Sequence, residues 1–142
     1  MNFWDSSAVA SLLVEQAQSA HAEMLYRKEP GGVFVWWGTY TECVSAIARL
    51  EREAFLTSQE AEQAFRALVM LAKSWNEILP SDIVREKANR VLRVHPLRTG
   101  DAFQLASAIV ASEDMASKIS LVTFDERLAT AARKEGFEVV TT

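Results

Sequence analysis

The sequence predicts an α/β protein, a three-layer α/β/α sandwich built around a mainly parallel sheet. Two observations lead to this fold class. Apolar, β-prone segments alternate with segments of helical periodicity along the whole chain, and two of those segments, residues 33–37 and 119–123, are compact enough to be buried strands. Because parallel strands are joined by helical crossovers, this alternation favours a sheet that helices cover on both faces.

The N-terminal elements follow from local patterns. A short strand is expected to end at Phe3-Trp4, with helices over residues 6–14 and about 19–28. Pro30-Gly31-Gly32 predicts a break before the strand at residues 33–37. Residues 39–54 have helical spacing, with an apolar side formed by Cys43, Ile47, Leu50 and Ala54.

The C-terminal half begins with a capping-box pattern at residues 57–60 and helical periodicity as far as Trp75. A second break and cap at residues 80–82 starts a helix to about Arg93. This stretch interrupts the alternation, so residues 57–93 are expected to form a helical arm on the sandwich. Thr99 is then the predicted N-cap of a helix to Ser112, and Asp125 that of a helix stopping near Gly136, before a last strand at residues 137–140.

Length and composition limit the possible classes of protein. The 142 residues suit a single domain, and 49% hydrophobic with 24% charged residues is an ordinary globular balance. The net charge of −4 argues against a broad basic surface for nucleic acid, but it is compatible with an acidic pocket that holds metal ions. Cys43 alone cannot form an internal disulfide, and no signal-like or membrane-spanning segment is visible, so we expect a cytoplasmic protein without membrane contact.

Four acids occupy positions that parallel sheets use for binding sites. Asp5 and Asp125 follow predicted strands, Asp101 lies in the first turn of a helix, and Glu42 is early in the helix after the Trp36-Trp37 strand. Sites in open α/β sheets form beyond the carboxyl ends of the strands, which would bring these acids together. Four clustered carboxylates repel one another and favour hard divalent cations such as Mg²⁺ or Mn²⁺.

Each acid also has an ordinary structural explanation. An Asp between a strand and a helix is usually an N-cap, which is the better interpretation of Asp5 or Asp125 taken alone. Asp101 could complement a helix dipole, and Glu42 could be a solvated helix residue. The two histidines, His21 and His95, lack the spacing of a zinc site, and His95 beside Pro96 is interpreted as a loop residue. Three further acids are interpreted as helix-end or surface residues: Asp82, Glu113 and Asp114.

Four motifs carry a resemblance to the PIN-domain family. Residues 2–8, Asn-Phe-Trp-Asp-Ser-Ser-Ala, resemble the family's opening strand, which ends in Asp. Residues 41–46 resemble the helix that bears its Glu, and residues 121–128 resemble its fourth acidic segment. Residues 97–108, Leu-Arg-Thr-Gly-Asp-Ala-Phe-Gln-Leu-Ala-Ser-Ala, are the closest match. The order is that of the family, the resemblance runs from Asn2 to Val140, and the length is typical of VapC toxins. Gln104 departs from the pattern, since many relatives carry His there, and this bears on substrate choice.

The resemblance implies a PIN-like fold and a metal-dependent ribonuclease. Asp5, Glu42, Asp101 and Asp125 would bind one or two Mg²⁺ ions, directly or through water, and act in hydrolysis of an RNA phosphodiester. Secondary candidates are Ser7 as an orienting hydroxyl, Thr123 as a water ligand, and Arg98 and Arg49 as phosphate or groove contacts. The ordinary alternatives are a helix cap for Ser7, a β-branched strand residue for Thr123, and solvated surface positions for both arginines.

The resemblance also implies partners. VapC-like relatives dimerise and bind a small antitoxin, and an antitoxin Arg could enter the carboxylate pocket. Leu68, Leu71 and Trp75 could contact that partner, although internal core positions are equally compatible with their spacing. Three rival functions remain open at this point: a PIN nuclease of RNA processing, a non-catalytic PIN module, and a phosphoacceptor signalling domain. The last lacks a suitably placed Lys after a late strand.

Overall fold

A computed structural model describes residues 1–29, 32–113 and 116–141. The described residues form five strands and seven α-helices, with a single 3₁₀ turn at Ala116–Lys118. The strands are β1 Asn2–Trp4, β2 Val33–Trp36, β3 Asn76–Ile78, β4 Ser120–Val122 and β5 Glu138–Val140. The helices are α1 Ser6–Ala10, α2 Ser19–Arg27, α3 Thr39–Arg52, α4 Ser58–Ala72, α5 Asp82–Val94, α6 Thr99–Ala111 and α7 Glu126–Lys134.

The sheet is parallel throughout, with strand order β3-β2-β1-β4-β5. Side chains alternate across it: Phe3 and Leu121 face one hydrophobic layer, whereas Trp4 and Val122 face the other. The first layer is built with helices α5, α6 and α7, and the second with α1 to α4. The predicted three-layer α/β/α sandwich with a parallel sheet is therefore confirmed.

The predicted helical arm, residues 57–93, contains helices α4 and α5 and also a strand that we did not predict. The capping box at Thr57 is present, with Thr57 and Glu60 each accepting the other's backbone N–H. Between the helices, β3 pairs with β2 as the edge of the sheet. The strand has no alternating apolar pattern because an edge strand with exposed Asn76 and Glu77 needs little burial.

Several predicted boundaries shift by a few residues. Helix α1 ends at Ala10, because the chain tightens into turns in which the Ser11 hydroxyl donates to the Ala8 carbonyl. The predicted Ala54 at the end of α3 is exposed with φ of 62°, so α3 ends before it. Arg98, not Thr99, is the N-cap of α6. The predicted break at Pro30-Gly31-Gly32 lies partly outside the described residues.

The C-terminal helix follows the predicted caps. Asp125 caps α7 by accepting the Leu128 N–H, at 3.0 Å. Gly136 follows the C-cap with φ of 97°, a left-handed conformation that favours glycine. These two residues fix the ends of α7 and thereby orient Asp125 at the carboxyl end of β4.

Candidate active site

Asp5 lies at the end of β1 and is held by three donors. It is the N-cap of α1, with its Oδ1 accepting the Ala8 N–H at 3.0 Å. The Ser7 hydroxyl donates to Oδ1 at 2.7 Å, and the Thr123 hydroxyl donates to Oδ2 at 2.7 Å. The side chain is 3% exposed, so its position is fixed by these bonds and not by solvent. The Asp5 carboxylate therefore both caps α1 and belongs to the candidate site.

Ser7 and Thr123 connect the ends of β1 and β4. While each hydroxyl donates to Asp5, the Ser7 oxygen accepts the Phe124 N–H at 2.9 Å and the Thr123 oxygen accepts the Asp125 N–H at 3.0 Å. Ser7 therefore does not cap α1, one of its two predicted roles, because Asp5 does so. In this arrangement both hydroxyls act on Asp5 and on the loop that carries Asp125.

Burial raises the pKa of Asp5 to about 6. Hydrogen bonds from Thr123, Ala8 and Ser7 oppose this shift, and the nearby charge of Asp125 adds to it. An isolated buried carboxylate is unfavourable in its charged form unless a cation or donors compensate. Donors compensate only in part here, so the charged form of Asp5 is less favourable than that of a solvated carboxylate.

Glu42 is held between helices from two sides. The Ser6 hydroxyl donates to Oε2 at 2.8 Å, and the Gln104 amide donates to Oε1 at 3.1 Å. Burial raises the pKa of Glu42, these two hydrogen bonds lower it, and the charge of Asp101 raises it further. Glu42 is thus an ordered side chain and not the freely solvated helix residue of the ordinary interpretation.

Asp101 and Asp125 complete the set of four acids. Burial raises the pKa of Asp101, followed by the charge of Asp125, while a backbone hydrogen bond at Arg98 and the charges of Arg98 and Arg127 lower it. Asp125 thereby interacts with both Asp5 and Asp101, and Asp101 interacts with Glu42. The structure brings the four sequence-predicted acids into one electrostatically connected group.

This group borders a large groove of about 1240 Å³, named here the acidic groove. Its lining includes Glu42, Asp101 and Asp125, and also the predicted residues Ser7, Arg49 and Arg98. Asp5 is buried, and its chain neighbours Ser6 and Ser7 reach the groove. Arg49 and Arg98 are exposed, which leaves their guanidinium groups accessible to a ligand in the groove. All the predicted site residues except Asp5 and Thr123 therefore line one groove.

The donor chemistry of the groove suits a hard divalent cation. Across residues 1–29, 32–113 and 116–141, no three Asp, Glu, His or Cys side chains are close enough to enclose a metal ion directly. Mg²⁺ commonly uses only one or two protein carboxylates and retains several waters. The donors of this set are all oxygen atoms, and burial together with nearby acids raises the pKa values of Asp5, Glu42 and Asp101. Such a set fits a cation that one or two acids bind directly and the remaining acids bind through water.

Sequence reasoning missed two residues that order Glu42. Both donate to the Glu42 carboxylate. The sequence places Ser6 in the opening motif without indicating this contact, and the resemblance relates Gln104 only to substrate choice. Gln104 is buried behind Glu42 and also donates to Thr39, at 2.9 Å. The available signal was the long polar side chain of Gln104 between the apolar residues Phe103 and Leu105. Asp82 and Glu113 are exposed as expected, and Asp114 lies outside the described residues.

The helical-arm residues that we offered as partner contacts have different positions. Leu68 and Trp75 are buried in the core, which confirms the internal alternative for both. Leu71 lines a second groove of about 440 Å³ together with Leu12, Leu13, Tyr26 and Met70, named here the apolar groove. Within the described part of the chain, no helix is both long and apolar enough to cross a membrane.

Comparison with known proteins gives a consistent result. A sequence profile of the PIN domain matches residues 3–134. The structure is similar to VapC20 of Mycobacterium tuberculosis, described as a toxin that cleaves the sarcin–ricin loop, with 20% identity, full coverage of both chains and a TM-score of 0.70. It is also similar to a toxin–antitoxin complex from Klebsiella pneumoniae, with 17% identity, 99% and 97% coverage and a TM-score of 0.67.

A third similar structure is VapBC-1 of nontypeable Haemophilus influenzae, with 15% identity over 99% of this chain and 96% of the other, and a TM-score of 0.65. A search of curated protein sequences finds no match. At these identities the structural similarities establish the fold, and the sequence profile establishes the family.

Proposed function

Because this chain belongs to the PIN domain family, we propose that it is a metal-dependent endoribonuclease and the toxin of a VapBC-type toxin–antitoxin pair. The observation that carries the proposal is the set of four carboxylates around one groove, with Asp5 fixed by Ser7 and Thr123. Similarity to VapC20, itself described as an RNA-cleaving toxin, supports RNA as the substrate class. Such a substrate implies a cytoplasmic location.

Mg²⁺ or Mn²⁺ would be held among Asp5, Glu42, Asp101 and Asp125, with one or two of these carboxylates binding directly and the others through water. A bound ion supplies Lewis acidity at the phosphate and lowers the pKa of a water molecule. The residues of the chain do the positioning. Donors to both Asp5 oxygens hold that carboxylate in place, and Ser6 with Gln104 holds Glu42 in place.

Two arginines of the acidic groove, Arg49 and Arg98, can bind the negatively charged phosphates of the substrate. Arg98 lies close enough to Asp101 to lower its pKa, and Arg49 is seven residues, about 10 Å, along α3 from Glu42. Both line the groove, so a strand bound at the acids can place neighbouring phosphates beside them. These contacts orient the backbone without reading sequence.

Cleavage of single-stranded or loop RNA by the purified protein tests the proposal. We expect cleavage with Mg²⁺ or Mn²⁺ and none with excess chelator. Asp82→Asn serves as a matched control, because Asp82 is an exposed acid at the start of α5, bonded to Arg85. It should cut like the wild type, whereas cleavage that persists in chelator, with contaminating nuclease excluded by Glu42→Gln, would contradict the metal-dependent mechanism.

We further propose an antitoxin partner that packs an apolar segment into the apolar groove. Met70, 63% exposed, and Met24, 47% exposed, lie on the two helices that border this groove. Exposed apolar residues beside an apolar groove form a surface of the kind that a protein partner covers. Co-expression from the native operon should co-purify the partner, and Met70→Glu should release it. Gln59→Glu should not, because Gln59 is exposed in the first turn of the same helix and lines neither groove. Co-purification unaffected by Met70→Glu would contradict this surface.

A homodimer is the remaining proposal from the family resemblance. Trp37 and Leu79, 53% and 61% exposed, lie side by side after β2 and β3, where the Trp37 N–H donates to the Ile78 carbonyl. Ile83 is 59% exposed in the first turn of α5. Sedimentation velocity should give a dimer that Leu79→Lys dissociates. A wild-type monomer at micromolar concentration would contradict the proposal.

A further inference from the structure

We propose that Gln104 is a positioning residue, whose side-chain amide sets where the Glu42 carboxylate can meet a divalent cation. The inference deepens the proposed function and rests on it. Gln104 lies in α6, three residues and therefore about one helical turn after Asp101. It is buried, with 1% of its surface exposed. It reaches the acidic groove only through the residues that it contacts.

Both hydrogens of the Gln104 amide are used on α3. Nε2 donates to Thr39 Oγ1 at 2.9 Å and to Glu42 Oε1 at 3.1 Å. Thr39 and Glu42 are one helical turn apart, so the amide bridges the first turn of α3. Because Gln104 shares α6 with Asp101, this bridge fixes the separation of two acids that stand on different helices.

The orientation of the amide follows from the charge of Glu42. A reversed amide would set its carbonyl oxygen against the carboxylate, where two acceptors repel each other. With the nitrogen toward Glu42, Oε1 of Gln104 is buried and has no hydrogen-bond partner among the described residues. An unpaired buried acceptor is destabilising. The side chain therefore leaves its acceptor unpaired while both of its donors are used on α3, one of them on Glu42.

Glu42 is consequently restrained from both sides. Ser6 holds Oε2 from α1, and Gln104 holds Oε1 from α6. Neighbouring donors of this kind orient a metal-binding carboxylate, and their removal typically weakens metal binding ten- to a hundred-fold. Gln104 acts through Glu42 and has no contact of its own with RNA.

Mn²⁺ titration by calorimetry tests the inference without reference to activity. Gln104→Met keeps the length of the side chain and removes both donors, so Kd for Mn²⁺ should rise about ten-fold or more. Ser107→Ala is the matched control, because Ser107 is buried in the same helix and its hydroxyl has no partner among the described residues. Its Kd should stay within about two-fold of the wild type, below the ten-fold expected of a lost orienting donor.

A double-mutant cycle separates action through Glu42 from a general structural effect. In a Glu42→Gln background, adding Gln104→Met should change the Kd for Mn²⁺ less than about two-fold, since coupled residues are not additive. In otherwise wild-type protein, kcat for RNA should fall while KM changes little. Equal losses in both backgrounds, or an unchanged Kd in Gln104→Met, would overturn the inference.

Nuclear magnetic resonance of the wild type keeps the test decisive if Gln104→Met does not fold. The side-chain amide signals of Gln104 should shift on Mg²⁺ addition, and this shift should disappear in Glu42→Gln. Side-chain amide signals whose chemical shifts do not change on Mg²⁺ addition would overturn the inference and leave the nuclease proposal intact. A wild type that neither binds Mn²⁺ nor cuts RNA would overturn both.

Discussion

The two ends of helix α7 carry acids in opposite electrostatic surroundings. At its start, Asp125 belongs to the four acids of the acidic groove, where burial and like charge raise the pKa values of Asp5 and Asp101. At its end, Glu135 bonds Arg90 at 2.6 Å and His95 at 2.7 Å. Hydrogen bonding from Arg90 is the main reason that the pKa of Glu135 is lowered.

The contrast separates charge that stabilises the fold from charge that binds a ligand. Glu135 lies at a helix C-terminus, where the dipole disfavours an anion, and two cationic or donating partners offset that position. The acids of the groove are ordered by hydroxyls and amides, which compensate burial only in part. Unfavourable charge that the fold keeps in order is the expected property of a cation site.

The largest expected effect is the loss of activity in Asp101→Asn compared with Glu135→Gln. If Asp101 belongs to the proposed cation site, removing its carboxylate should reduce RNA cleavage at least about a hundred-fold, at the upper end of effects from residues around metals. Glu135→Gln should cleave at close to the wild-type rate, because the Arg90–His95–Glu135 cluster lies outside the acidic groove. Single-turnover cleavage rates measure both variants. Equal losses of activity in Asp101→Asn and Glu135→Gln would contradict the assignment of different roles to the acidic groove and the Glu135 cluster.

The next effect is the pH dependence of metal-free stability. Asp5 is protonated up to about pH 6 when folded, but only to about pH 3.8 when unfolded. The free energy of unfolding should therefore fall as pH rises from 4 to 7, by at most about 3 kcal/mol, since one pKa unit corresponds to about 1.4 kcal/mol. Urea unfolding of chelator-treated protein at pH 5 and 7 measures it, and the difference should shrink in Asp5→Asn. An equal pH effect in Asp5→Asn would assign it to other groups.

Glu135 should show the opposite dependence on pH. Its lowered pKa means that its contribution to stability is present above the unfolded value of 4.5 and is lost as pH falls below it. Glu135→Gln removes a charge-assisted contact whose side chain is only 14% exposed, so we expect a loss of about 1–2 kcal/mol at pH 7. Urea unfolding measures the loss, and a variant as stable as the wild type would show that the cluster contributes nothing.

The smallest expected effect is a gain in stability for metal-free Asp101→Asn. Its carboxylate has a raised pKa, so ionisation near neutral pH opposes folding, and asparagine removes that charge. Asp101 is only partly buried, so solvent screening limits the gain to below about 1 kcal/mol. Thermal melting in chelator measures it. A lower melting temperature than wild type would support the helix-dipole interpretation of Asp101 instead.

The sequence predicted the sandwich well because its central buried strands are apolar runs and helices α4, α5 and α7 begin at side-chain caps. Thr57, Asp125 and Gly136 all have the structural roles expected from local chemistry. Strand β3 escaped prediction because an edge strand buries little, and its pairing with β2 is a long-range contact that local pattern does not encode. The exposed Trp37 likewise lies past the end of β2, where the sheet no longer covers it.

The candidate site also contains features that the sequence predicts and features that it does not. The four acids could be located because strand ends and helix starts place them at one edge of the sheet. The hydrogen bonds of Ser6 and Gln104 to Glu42 could not, because they join residues 36 and 62 positions apart in the chain. Sequence shows which side chains are chemically suitable, and only packing shows which neighbours hold them.

Stabilisation by Mg²⁺ tests the central claim, that the four acids form one cation site, most directly. Thermal melting of wild type, Asp101→Asn and Glu135→Gln would be recorded in chelator and in a series of Mg²⁺ concentrations. Ligand at 100 times its Kd stabilises the folded state by about 2.7 kcal/mol, so wild type and Glu135→Gln should show the same upward shift. Asp101→Asn should shift much less, and a shift equal to that of the wild type would contradict the account.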